Sequence, residues 1–568
     1  MVATNCYNIG NITGSSNVGV MGGWTSGNST YTNVYNIGDI TKSGGSSGNW
    51  GSGTCTNCYT SYATGGTPKG VLTTISSESV SSGELCYNLG SVFTQDLANE
   101  THPMLFSTYN KRVYRFGSAG SYTYSNDGNV NIGSAEDLML FAGYVNEGQT
   151  TLNGKLTTDI DLTGKNAERI GNRTYKYAGA FDGQGHSVTL DMDITGTTDA
   201  YKCQGLFGCA AGGASFSNLI IKGSVTSATN CVAALVGEVG TNENAGGIIT
   251  IRNVGCEATV SGGAYVGAFV GNDWGSRITL DLENCYNTGN ITGNSSNSSV
   301  MGGSVRGESR YKNVYNTCSS VTFVSGNMGT CTNCYTTGSG SQSGLTTGIS
   351  TASVASGELC YNLGSAFRQV LGEGGDAHPV LDSSKPNVYK LTVSDAGYAS
   401  FVPEVNVAAI PKGVEVYVGQ DNTTYLHLEE VKELPANNAF IVKAAEGNYY
   451  YNNTDAAITL SKTNHLKFYT TDTASTGSQY CLANKSDGVG FYKVQSGIMI
   501  PARKAFLQVS SPVKAFYGFD EDDATSINEA LEIKNEELYE GVIFNLGGQH
   551  ISKMQKGINI INGKKVLK

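Results

Sequence analysis

The sequence predicts an all-β protein: parallel β-helix coils through most of its length, then an antiparallel β-sandwich and a small C-terminal hairpin tail. Three observations carry this prediction. Glycine supplies 75 of 568 residues, against roughly 40 at ordinary usage, while Pro is 9 and charged residues are 15 %. A stretch of about 100 residues occurs twice. Inside each copy an Asn–apolar–Tyr triplet returns at a spacing that suits one coil of a solenoid.

The composition excludes several classes. Collagen needs Pro-rich triplets, and 39 % hydrophobic residues with 32 Tyr and 18 Phe can bury a core that a disordered chain cannot. A helical bundle would be rich in Ala, Glu, Lys and Leu. A net charge of −11 disfavours nucleic acid and anionic membrane surfaces as partners. No apolar run of about 18 residues is present, so no membrane span is expected.

The first element, residues 1–115, is read as the second half of a β-helix module. Asn5-Cys6-Tyr7-Asn8-Ile9-Gly10 returns as Asn284-Cys285-Tyr286-Asn287-Thr288-Gly289, and Cys55-Thr56-Asn57-Cys58-Tyr59 as Cys331-Thr332-Asn333-Cys334-Tyr335. Likewise Gly83-Glu84-Leu85-Cys86-Tyr87 matches Gly357 to Tyr361, and His102-Pro103 matches His378-Pro379. The copy at 284–381 follows some 150 residues that have no counterpart before Met1. The expectation is an N-terminally truncated chain, whose missing signal peptide says nothing about compartment.

The second element, 116–385, is a complete module. The triplet occurs at Asn5, Asn33, Asn57, Asn284, Asn313 and Asn333, with Asn218-Leu219 and Asn253-Val254 as variants; the spacings run from 20 to 35 residues. Short alternating stretches bounded by Gly surround them. A β-sandwich would explain any one segment but not the shared register.

Two residue classes inside the coils invite functional readings. The pairs Cys55/Cys58 and Cys331/Cys334 have zinc-knuckle or redox spacing. However, the slot of Cys6, Cys58, Cys285 and Cys334 is filled by Val34, Val254, Val314 and Leu219 in other coils, which asks for a small apolar side chain facing inward. A disulfide stays open as an alternative. The Tyr that follows should point outward, so Tyr7, Tyr35, Tyr59, Tyr286, Tyr315 and Tyr335 are the candidate ligand-binding residues, an aromatic stripe for sugars or a protein partner. The other reading is that they cover their own coil edges.

For catalysis the candidates are Asp159, Asp161, Asp182, Asp191, Asp193 and His186. Each has a plain structural explanation, as solvated alternating positions or as the Asp182-Gly183 turn. No catalytic residue, metal ligand or cofactor is expected.

The motifs Ile132-Gly133-Ser134-Ala135-Glu136-Asp137-Leu138, Ala180-Phe181-Asp182-Gly183-Gln184-Gly185-His186, Gly205-Leu206-Phe207-Gly208, Ala234-Leu235-Val236-Gly237 and Gly267-Ala268-Phe269-Val270-Gly271 resemble bacterial β-helix proteins with GLUG repeats. That resemblance implies a right-handed β-helix in a secreted or surface protein that serves as an adhesin or binding scaffold. The third element, 386–520, is similar to the sandwich before the C-terminus of many Bacteroidetes surface proteins. The fourth, 521–568, holds an acidic linker near Asp520–Asp523 and resembles the sorting tails of that group, with hairpins around Gly547-Gly548 and Asn562-Gly563.

These readings converge on an extracellular or outer-surface binding protein whose partners are glycans or host or bacterial surface proteins. A polysaccharide-degrading β-helix enzyme and a structural spacer are the alternatives.

Overall fold

The computed structural model describes residues 1–521 apart from 23–27, 43–52, 62–68, 109–110, 117–122, 126–128, 197–202, 241–245, 274–277, 295–296, 306, 319–320, 326–328, 338–345, 422–424 and 511–513; beyond 521 it describes 543–545, 550–551, 558–561 and 564–567. The chain is all-β, with five short helices among the described residues. It divides into two compact units, one made of 1–351 with 362–367 and 380–382, the other of the remainder.

In the first unit the chain keeps returning to the same sheets. Val2–Asn8, Thr30–Asn36, Thr54–Thr60 and Lys69–Thr74 form one parallel sheet in chain order. A second, thirteen-stranded sheet has on its main path Asn129–Ile132, Asn153–Leu156, Ala180–Asp182, Ser215–Ser227, Gly247–Cys256, Ile278–Asn287, Ser309–Asn316, Thr330–Thr336 and Thr347–Gly348. A four-stranded parallel sheet is built from Phe207–Ala210, Val236–Val239, Val270–Asp273 and Gly302–Ser304.

The triplet sets the register. Cys6 lies opposite Val34 and Val34 opposite Cys58; Leu219 faces Val254; Cys285 faces Val314 and Val314 faces Cys334. Each preceding Asn has left-handed backbone, with φ between 51° and 58° at Asn5, Asn33, Asn57, Asn218, Asn253, Asn284, Asn313 and Asn333. Asn tolerates that region better than other chiral residues. The Asn therefore works as a corner that interrupts strand alternation. Its side chain also bonds the corner of the coil before: Asn333 donates to Asn313, Asn313 to Asn284, Asn284 to Asn253, and Asn253 to Asn218, at 2.9–3.0 Å.

Behind the corners one apolar core runs through the stack, joining Leu219, Val254, Cys285, Val314 and Cys334 to Phe207, Val236 and Val270. Each fully buried Val or Leu contributes about 1.5–3 kcal/mol. The glycines of the repeated Gly-ending motifs allow close stacking: a Cβ on Gly271 or Gly303 would lie 2.4 Å from the carbonyl oxygen of Gly237 or Gly271 in the coil before.

Three helices matter to the site. Ala135–Asn146 starts at Ser134, whose hydroxyl accepts from the Asp137 amide, and buries Leu138, Phe141 and Val145. Phe141 meets Tyr177 and Phe181 edge-on. Ser77–Ser82 is capped by Ser76 and ends at Gly83 (φ 98°), where Glu84–Leu89 begins.

In the second unit, two five-stranded sheets share a core. Val402, Leu426, Leu428 and Ile441 of one meet Leu466, Tyr480, Phe491 and Leu507 of the other. The pairings are antiparallel except where Leu426–Glu430 meets Phe519–Glu521. The first of these sheets has a second apolar layer, in which Val416, Val418, Phe440 and Val442 pack with Leu391, Val393 and Tyr451. In the tail, Ile543–Asn545 pairs with His550–Ile551 and Ile558–Ile561 with Lys564–Leu567, both antiparallel. The two expected turns, and the acidic linker beyond Glu521, lie outside the described residues.

Candidate functional site

The aromatic stripe exists, but it is not a solvent-facing surface. Tyr7 stacks on Tyr35 at 5.3 Å and 7°, and Tyr286 on Tyr315 at 5.4 Å and 7°. Tyr35, Tyr286 and Tyr315 have no exposed surface, while Tyr7, Tyr59 and Tyr335 are half-buried. Alternation does place them opposite the inward slot: Val34 packs with Tyr31, Cys55 and Cys58, whereas Tyr35 packs with Ile75, Val80, Leu85, Cys86, Leu89 and Phe93. The outer face is therefore covered by the chain's own helices Ser77–Ser82 and Glu84–Leu89.

The hydroxyls are used inside the protein as well. Tyr35 donates to the Pro103 carbonyl and lies 3.0 Å from His102 Nδ1. Tyr59 and Tyr335 donate to Asn57 and Asn333 at 2.6 and 2.7 Å, and Tyr286 to Glu257 at 2.6 Å. Burial pushes the Tyr35 and Tyr286 phenols up. This corrects the expectation of an exposed ladder: in the first copy Tyr7, Tyr35 and Tyr59 pack against the helices, and in the second Tyr286 and Tyr315 are fully buried.

None of the fourteen cysteines is in a disulfide. Those in the repeat slot pack as small apolar groups, and burial pushes Cys285 up to about 12. Cys55 and Cys58 belong to the apolar core of the first copy.

The acidic candidates mostly bind backbone. Asp159 accepts from the Ser187 amide at 2.8 Å, which holds its carboxyl below the usual range, and it lies 3.5 Å from His186 Nδ1. Asp161 is lowered by its bonds to Thr163. Asp182 takes the Gln184 amide and Asn218 Nδ2 at 2.9 and 3.0 Å, and Asp191 the Gly164 amide at 2.9 Å.

Asp191 and Asp193 nevertheless share an open cleft of about 450 Å³ with Lys165, Glu168, Arg169, Asn146, Asn166 and Asn172. The two aspartates are two apart on the strand Ser187–Ile194, so they project from one face about 7 Å apart. Lys165 pairs with Glu136 at 2.9 Å. Ala167, Met192 and Ile194 supply the apolar part of the lining. Carboxylates, cations and amides around an open concavity can hydrogen-bond a polyhydroxylated or charged ligand.

A second constellation, unforeseen from sequence, lies in neighbouring coils. Cys203, Cys209, Cys231 and Glu238 are all buried. The Cys203 thiol donates to Glu238 Oε2 at 3.3 Å, and Arg173 grips both Glu238 oxygens at 3.2 and 2.7 Å. Burial and the neighbouring Cys203 push Glu238 up to about 7, while bonds from Cys209 and Cys231 lower Cys203. Both acids face one guanidinium. The trace in the sequence is that the two pairs, 203/231 and 209/238, repeat at coil spacing.

No family model matches the chain, and no curated protein matches it. A solved structure titled a "putative immunoglobulin A1 protease" from Bacteroides ovatus is similar at 16 % identity over 45 % of this chain and 93 % of that one, with a TM-score of 0.26. A likeness of that size assigns neither fold nor activity. No helix among the described residues is long and apolar enough to cross a membrane.

Proposed function

We propose that this chain is an extracellular binding protein of a bacterial surface. Its parallel coils form a right-handed β-helix of the GLUG-repeat kind, its two facing sheets a sandwich, and its tail a sorting segment. In this reading the coils are a rigid scaffold, and the ligand, a glycan, sits in the polar cleft rather than on the tyrosines. The observation that supports it best is the cleft's lining of Asp191, Asp193, Asn166, Asn172 and Lys165, groups that meet sugar hydroxyls or carboxylates well. A glycan array with the full chain, repeated with Asp193→Ala and Asn172→Ala, tests it. Binding lost in both variants supports the cleft; no binding to any glycan, or binding that both variants retain, refutes it.

The same lining favours one alternative. Acidic and basic groups from several coils in one open groove are what a β-helix polysaccharide lyase or hydrolase needs. Oligosaccharides released from plant or mucin polysaccharide by the full chain, and not by Asp191→Asn, would replace the binding reading with this one.

A further inference from the structure

We propose that Cys203, Cys209 and Glu238 form a buried site for a thiophilic divalent cation, zinc, with Cys231 beside it. The Sγ atoms of Cys203 and Cys209 and a carboxylate oxygen of Glu238 all lie within 4.8 Å of one another. That is the scale of a tetrahedral ligand set, in which zinc stands about 2.3 Å from sulfur and 2.0–2.2 Å from oxygen.

Coil stacking explains why these groups meet. Cys209 pairs in register with Glu238, so the two side chains rise in one column about 4.8 Å apart. Cys203 and Cys231 occupy equivalent turns one coil apart, because Gln204 bridges Val232. Both have left-handed backbone, φ 67° and 65°, a conformation that is costly for a chiral residue other than Asn or Asp. Tyr265, at the same turn of the next coil, is left-handed as well, at φ 61°, so the conformation belongs to the turn and brings the column of side chains into line.

Plain core packing does not account for the cluster. In the slot of Cys6, Cys58, Cys285 and Cys334 the other occupants are Val and Leu. In the column of Cys209 the successive coils carry Glu238, Asn272 and Ser304. This column is polar throughout, and an apolar thiol would be the exception in it. The three cysteines also form a small cluster separate from the main core, with Tyr265 packed against it.

Charge closes as well. When zinc displaces the protons of Cys203 and Cys209, two thiolates and one carboxylate face a doubly charged cation, and Arg173 neutralises the remaining negative charge. Two protons leave, so the site has no net charge before or after. Arg173, whose side chain is 42 % exposed while that of Glu238 is 3 % exposed, holds the carboxylate as an outer-shell partner.

The test uses the full chain purified under reducing conditions, loaded with zinc alone and desalted. Metal analysis should find about one equivalent per chain, and the cobalt-substituted protein should show a thiolate-to-metal absorption band. Cys203→Ser with Cys209→Ser should remove both, Cys55→Ser with Cys58→Ser should change neither, and Arg173→Gln should weaken zinc binding about 10–100-fold. As a readout independent of those variants, chelation of the wild-type protein should lower its urea midpoint and zinc should restore it. The proposal is overturned if no zinc is retained, if the 203/209 double variant retains it, if chelation leaves the midpoint unchanged, or if mass spectrometry finds Cys203 disulfide-linked to Cys209 or Cys231 in metal-free protein.

Discussion

Asn284 offers the sharpest test of what holds the coils in register. It has φ 54°, donates to Asn253 Oδ1 at 3.0 Å, and accepts from Asn313 Nδ2 at 3.0 Å. Asn284→Ala removes two hydrogen bonds, about 1 kcal/mol each, and sets alanine in a left-handed conformation that costs about 1–2 kcal/mol more. The sum is about 3–4 kcal/mol. Asn284→Asp keeps the acceptor and tolerates the backbone, losing one bond, so about 1 kcal/mol is expected. Urea unfolding of the first unit is followed by pulsed hydrogen exchange of the peptide 278–294, which lies in it. With a urea slope of about 3 kcal/mol/M, the Ala variant should lower the midpoint by about 1 M and the Asp variant by about a third of that. Equal shifts, or an Ala shift below about 0.3 M, would refute the role of the Asn corner.

Other expectations follow from the same packing. Tyr35→Ala should cost about 3–5 kcal/mol in that melt, while folded Tyr35→Phe keeps any glycan binding; lost binding with intact folding would return the tyrosines to the ligand site. Cys285→Val should shift stability by less than about 1.5 kcal/mol, since Val314 fills the facing position, whereas Cys285→Ser buries a hydroxyl and should cost about 1–3 kcal/mol. Gly255→Ala puts a Cβ 2.4 Å from the Tyr286 ring and should destabilise by about 1–3 kcal/mol; a neutral result would mean the ring yields freely. Asp96 is held below the usual carboxylate range by Asn99, then by the Ala98 amide and Lys111. Its folded pKa is depressed, so its contribution is present above about pH 4 and is lost as pH falls further. Acid titration of Asp96→Asn should show a shallower loss below pH 4 than wild type, and identical curves would contradict this.

Much of the first unit was legible because strands that return to the same parallel sheets write their spacing into the chain. The exchange of Cys for Val and Leu in one slot was enough to predict the inward packing of Cys58, Cys285 and Cys334. The duplication is legible in contacts too: Gln95 donates to the Val80 carbonyl as Gln369 does to that of Val354. What covers the tyrosines was not legible. Ser77–Ser82 and Glu84–Leu89 are six residues each, too short for a helical period to stand out. The thiol cluster was hidden for another reason. Cys203 and Cys209 fall in different parts of one coil, Glu238 in the next and Arg173 in the one before, so only the folded stack brings them together.

The Asn corners also separate two things that most folds tie together, length and alignment. Successive bonded corners are 35, 31, 29 and 20 residues apart, yet the side-chain chain passes through all of them unbroken. A coil can lengthen or shorten its excursion without disturbing its neighbours, provided it brings the Asn back to its place. Such a protein can vary its loops, or copy a block of coils, without having to invent a new interface each time.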